Sequence, residues 1–168
     1  MQSILSFLRK IAEVLSDEPT QDMIDFFNNR TKIHINYVNE NLKKIAKKLP
    51  EFDLPYNHDA SKFSKEELVP YIWLTDYYRK NKNLEYPKGM EDKINKAVEH
   101  HYKSNSHHPE FYGSPSEMPK KAIVEMVSDW GAMSKEKGGS VRKWASEHTN
   151  GFTKKQKDLI NELIDIIE

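Results

Sequence analysis

An apolar stripe of helical period, set between Thr20 and Pro50, constrains this chain more than any other feature. Ile24, Phe27, Thr31, His34, Ile35, Val38, Leu42 and Ile45 lie on or near one face of a helix. Almost no run alternates apolar and polar residues with the period of a strand, and Val-rich stretches are absent. Such a chain buries helical faces against one another. The expected fold is all-α, a single-domain bundle of six to seven helices around one core.

Caps and breakers mark the other elements. Ile4, Leu5, Phe7, Leu8, Ile11, Ala12 and Leu15 give an N-terminal amphipathic helix over residues 1–18, stopped at Pro19. Thr20 caps the long helix, expected from Gln21 to about Leu49, and Pro50 and Pro55 bracket the loop behind it. Ser64-Lys65-Glu66-Glu67 reads as a capping box, with Ser64 at the cap and Glu67 reaching back, for a helix ending near Arg79. Further helices are expected from Met90 to about Lys103, and from Pro119, in the first turn, to about Met133. Two more are expected behind Ser140 and Thr153, the last with an apolar face of Leu159, Ile160, Leu163, Ile164 and Ile167. This divides the chain into a terminal helix (1–18), a central helical domain (19–150), which holds the candidate metal ligands named below, and a C-terminal helix (151–168) packed on it.

Composition removes several classes of function. The absence of cysteine excludes disulfides, thiol nucleophiles and zinc-finger chemistry. Any metal site must use nitrogen and oxygen ligands, which suits Mn, Fe, Co, Ni, Mg or Zn. With 26 basic and 26 acidic residues there is no global field to hold nucleic acid. No apolar run approaches the roughly 20 residues that cross a bilayer. Arg9, Lys10, Glu13, Asp17 and Glu18 interrupt any signal-peptide core, so the expected location is the cytoplasm.

The chemistry gathers in YNHDASKFSK, where His58 and Asp59 adjoin and Lys62 follows at the mouth of a helix. Further candidates are His34, His100-His101, His107-His108 and Asp129, on separate helices and loops. Bundles build metal sites in this way, from inward-facing side chains of different elements. Imidazole supplies a neutral nitrogen and carboxylate the charge that holds a divalent ion. Adjacent His and Asp can both reach one ion only where the backbone is not regular helix. Lys62 cannot bind a metal, but it can hold a phosphate oxygen that the metal also holds. A metal lowers the pKa of a bound water and, with a neighbouring cation, offsets phosphoryl charge, as phosphoester hydrolysis requires. His100 and His101 point about 100° apart on a helix; either could face the core, and the spacing of Ile94 and Ala97 favours His101. His107 and His108 lie in a loop that Pro109 stiffens, which suits positioned ligands and equally a plain turn. Glu125, four residues before Asp129, shares its face and suits either an outer carboxylate or a surface ion pair.

The order His34, His58-Asp59, Asp129 resembles the HD-domain superfamily of metal-dependent phosphohydrolases, an all-α family with ligands in the order H…HD…D. HDASK is similar to the HD-x-G-K segment of the HD-GYP branch, with Ser61 in place of glycine and Lys62 in register. HHPEFYGS is similar to that branch's HHE…G stretch, with Pro109 between His108 and Glu110, and IVEMVSDWGAM to the helix bearing its last metal aspartate. No GYP triplet follows, since the chain reads GSPSEMP, so hydrolysis of cyclic dinucleotides is not implied. NHDxSKFS, HHYxxNxHHPE and EMxxDW also resemble a compact group of phage and bacterial proteins known as a domain of unknown function. The resemblance runs from roughly Asn29 to Met133.

The resemblance implies one or two divalent ions. His34, His58, Asp59 and Asp129 would hold the first; Asp59 would bridge to a second helped by His101, His107 and His108. Asp59 and Lys62 would be catalytic, Lys62 holding substrate phosphate, and Glu110 and Glu125 would support the ligands. The expected substrate is a nucleotide or another small phosphate ester. The rival reading is a non-catalytic metal- or nucleotide-binding protein, or a host-interaction protein of phage type, and the oligomeric state stays open.

Overall fold

A computed structural model describes residues 18–168 of the chain. The expected N-terminal helix falls outside the described residues, apart from its last position. Among the described residues there are six α-helices and no strands. They are α1 (Gln21–Lys48), α2 (Leu68–Arg79), α3 (Met90–Ser104), α4 (Lys120–Lys137), α5 (Val141–His148) and α6 (Lys154–Ile167). Short 3-10 turns at Pro50–Phe52, Ala60–Phe63, Pro109–Phe111 and Pro115–Glu117 fill the connections. None of these helices is long and apolar enough to cross a membrane.

The expected all-α class holds, and most boundaries fall within a few residues of their signals. The start of α2 differs. Its N-cap is Glu67, which makes no side-chain cap bond, so the Ser64 capping box does not form. Glu67 is instead fully buried and hydrogen-bonded to two histidines, and a buried acid with strong donors has no reason to turn back to a helix end. Pro119 likewise stands at the N-cap of α4, just before its first turn.

The described residues form two compact units, the first including Ser61–His101 and the described residues up to Arg30, the second Thr31–Ala60 and Tyr102–Glu168. In the first, Met23 and Phe27 of α1 pack with Ile72 and Trp73 of α2 and with Met90 and Ile94 of α3. Arg79 adds a polar clasp, donating to Asp22 at 2.6 Å and pairing with the buried Asp76, while its guanidinium lies over Phe26.

The second unit is built on α4. Seven consecutive residues, Ala122 to Ser128, are buried, so this half of α4 is covered on every side. It packs on α5 and α6. Ile123, Val124, Val127, Leu163 and Ile164 are the fully buried centre of the core, joined from α1 by Val38 and Ile45. Gly131 lets α1 and α6 come close: a Cβ there would meet Asn41 Nδ2 at 2.6 Å and Ile167 Cδ1 at 2.7 Å. Asn41 uses that space to donate to the Ser128 carbonyl oxygen at 3.0 Å. Gly138, in the left-handed region at φ 70°, closes α4. Thr153 and Gln156 form a capping box at the start of α6.

Candidate metal centre

Three kinds of segment in the second unit deliver imidazoles and carboxylates to one place. The first is α1. Its buried stripe runs Met23, Phe27, Thr31, His34, Val38, Leu42 and Ile45, so His34 occupies a core position and is 3% exposed. The second is a pair of loops. His58 and Asp59 sit at a turn where Asp59 adopts φ 58°, the left-handed region that a β-carbon disfavours. That kink turns two adjacent side chains to one side, and both are buried. His107 is held by the turn after it, where His108 N–H donates to the Asn105 oxygen and Phe111 N–H to that of His108. The third is α4. Glu125, Asp129 and Glu136 are spaced by four and seven residues, so they lie within an arc of about 40° on one face.

His34 Nε2 lies 3.2 Å from His58 Nε2 and 3.0 Å from Asp129 Oδ1. Asp59 Oδ2 lies 3.7 Å from His34 Nε2 and 3.6 Å from His58 Nε2, and Asp129 Oδ1 is 3.8 Å from His58 Nε2. Metal bonds of about 2.1 Å give ligand–ligand edges of about 3.0 Å in an octahedron and about 3.4 Å in a tetrahedron. The separations bracket those values. Side chains from α1, the His58-Asp59 turn and α4 thus bring two carboxylate oxygens within 3.0–3.8 Å of two imidazole nitrogens, an arrangement that could hold a divalent ion.

The other nitrogen of each imidazole faces a carboxylate. Carboxylate oxygens only accept, so His34 Nδ1–H donates to Glu136 Oε1 at 2.5 Å and His58 Nδ1–H to Glu125 Oε1 at 3.1 Å. His107 Nδ1 lies 3.3 Å from the same Glu125 oxygen, and its Nε2 is 3.8 Å from Asp59 Oδ1. With Nδ1 carrying the proton, the Nε2 lone pairs of His34 and His58 point at each other across 3.2 Å, beside two carboxylate oxygens. That arrangement repels itself unless a cation stands among the four.

In the metal-free chain a proton supplies the charge. Burial opposes protonation of His34, but its hydrogen bonds to Asp129 and Glu136 and the charges of Asp129 and Asp59 prevail, lifting its pKa to about 9. Burial works against ionised Glu125 as well, yet the His107 and His58 hydrogen bonds hold it down to about 2. Asp129 is driven well below the usual carboxylate range: burial is outweighed by the His34 hydrogen bond and the charges of His58 and His34. Tyr56 stands near Glu125, and burial, then that charge, push its phenol up to about 12. Buried groups of this kind, His34-His58-Asp59 and His58-His107-Glu125, could hold a metal ion.

The other expected site residues have surroundings of their own within each unit. In the first unit, His101 is buried and its Nδ1 bonds Glu67 Oε2 at 2.9 Å, while Ser61 Oγ donates to that oxygen at 3.0 Å. His100, partly exposed, takes the second oxygen of Glu67 at 2.7 Å, so the neighbouring histidines share one carboxylate without facing one point. Lys62 is half-buried with its ammonium 5.5 Å from the Tyr71 ring. In the second unit, His108 packs against the His107 and Tyr102 rings. Glu110 is exposed on its 3-10 turn, and Glu125 supports His107 instead. Glu136 and Glu67 were not expected. Glu136 shares the face of Glu125 and Asp129, but only because α4 runs past Met133, the expected end, to Lys137; Glu67 is hidden by its likeness to a capping-box acid.

A family model described as a family of unknown function (DUF5662) matches residues 23–168, a span that takes in every one of these side chains. No curated protein and no solved structure matches the chain.

Proposed function

We propose that this chain, which belongs to that family of unknown function, is a divalent-metal-dependent phosphohydrolase acting on a nucleotide or another small phosphate ester. The observation that carries the reading is the convergence of His34 Nε2, His58 Nε2, Asp59 Oδ2 and Asp129 Oδ1 at metal-ligand spacing. It is the set that the resemblance to HD-type phosphohydrolases implies, in the same chain order. Nitrogen and oxygen donors without sulfur suit Mn, Fe, Co, Ni, Mg or Zn. When bound, the ion supplies Lewis acidity and a water activated near neutral pH.

The chain's own groups have distinct parts. His34 and His58 bind through Nε2, and Glu136 and Glu125 hold their opposite nitrogens. Asp59 presents Oδ2 to this set and Oδ1 toward His107 Nε2, so Asp59 would help to hold a second ion together with His107. Four carboxylates, Asp59, Asp129, Glu125 and Glu136, surround three imidazoles, a surplus of negative charge that two divalent ions would balance. Lys62, three residues along the chain from Asp59, is assigned to the substrate phosphate.

The test is a screen of phosphate mono- and diesters with Mn²⁺, Fe²⁺, Co²⁺, Ni²⁺ and Mg²⁺, on wild type and Asp59→Ala. Hydrolysis by wild type, abolished by chelator and by Asp59→Ala, is the expected result. Turnover that survives complete metal removal defeats the mechanism. Tight metal binding with no turnover of any ester supports the binding-protein alternative.

A further inference from the structure

We infer that Glu136 is a positioning residue for the metal, holding the His34 imidazole in the tautomer that aims Nε2 at the ion. The inference rests on the metal-centred reading above and deepens it. Glu136 lies 102 residues from His34 in sequence, and its Oε1 accepts from Nδ1 at 2.5 Å. The acceptor is charged and only 13% exposed, which makes this the strongest kind of imidazole hydrogen bond. It fixes the proton on Nδ1 and the ring plane together, leaving the Nε2 lone pair among His58, Asp59 and Asp129.

Helix physics alone would not put an acid there. Glu136 is in the last turn of α4, beside Lys135 and Lys137 and two residues before the Gly138 cap. The negative end of the helix dipole disfavours a carboxylate at that place and favours those lysines. A local rule broken at one position points to a role elsewhere, and the His34 contact supplies it. The same device recurs on the neighbouring ligand, where Glu125 holds Nδ1 of His58. Outer carboxylates of this kind raise ligand basicity and orient the ring, and their loss typically weakens metal binding about 10–100-fold.

The test titrates metal-stripped full chain with Co²⁺, reading the visible absorption of the bound ion against a competing chelator. Glu136→Gln should bind Co²⁺ about 10–100-fold more weakly than wild type, with the melting temperature of the metal-free chain nearly unchanged at about pH 9.5, where His34 is neutral and its ion pair no longer contributes. Unchanged Co²⁺ affinity in Glu136→Gln overturns the role of Glu136 and leaves the metal site standing. A weakened affinity matched by a large fall in metal-free melting temperature at that pH also overturns it, because that is a structural strut. A wild-type chain that takes up no Co²⁺ overturns the metal reading, and this inference with it. Nitrogen-15 spectra of the Zn²⁺-loaded wild type decide the matter should the variant not fold: a proton on Nδ1 of His34 is expected, and one on Nε2 refutes the assignment.

Discussion

Asp59 shows most sharply how ligand chemistry and stability diverge in this chain. It is buried at φ 58°, among the imidazoles of His34, His58 and His107 and near Asp129. A β-carbon in the left-handed region costs roughly 1–2 kcal/mol, somewhat less for Asp or Asn. A second carboxylate beside Asp129 adds repulsion that only a cation removes. Asp59→Asn keeps a side chain tolerant of that backbone and deletes the charge. It should abolish metal uptake, measured by elemental analysis, while raising the melting temperature of the metal-free chain above about pH 9, where His34 no longer carries the proton that offsets the carboxylates. Asp59→Gly should give the same loss of metal with relief of the backbone strain as well. A metal-free chain destabilised by both substitutions would mean that Asp59 serves the fold rather than a ligand.

At the scale of elements, the most legible helices were those that carried two independent signals, a cap and an apolar stripe. Ser140 and Thr153 cap α5 and α6 as their positions before apolar stripes predict. The start of α2 was misread because Ser64 and Glu67 satisfy a local pattern, and a local pattern cannot report that His100 and His101 lie against that acid. The HD pair was legible as a motif, whereas the kink at Asp59 that makes it work was not, because φ depends on the packed surroundings. Glu136 needed knowledge of which α4 face meets His34. Two substitutions test the elements. Gln156 closes the capping box and also donates to the carbonyl oxygens of Pro115, Ser116 and Met118. Thr153→Ala should cost about 1 kcal/mol, and Gln156→Ala more, by denaturant unfolding. Gly131→Val should overpack the α4 contact with Asn41 and Ile167, lowering stability by about 1–3 kcal/mol.

For the whole molecule, the site makes stability depend on pH and on metal together. The His34 pKa is raised from 6.5 to about 9, so its contribution in the metal-free chain is complete below 6.5 and lost as pH rises through 9. The Glu125 pKa is lowered from 4.5 to about 2, so its contribution is present above 4.5 and lost as pH falls through 2, and Asp129 acts in the same sense. The metal-free chain should therefore be most stable between about pH 4.5 and 6.5. Metal must displace the His34 proton, so affinity, and the rise in melting temperature on adding Mn²⁺, should grow from pH 6 toward pH 9. The central claim is that four side chains from α1, the His58-Asp59 turn and α4 grip one divalent ion. The most direct test is anomalous diffraction from a crystal of the full chain grown with Mn²⁺. The account predicts a peak about 2.0–2.4 Å from His34 Nε2, His58 Nε2 and one carboxylate oxygen each of Asp59 and Asp129. Crystals from saturating Mn²⁺ with no peak among those four atoms would contradict it.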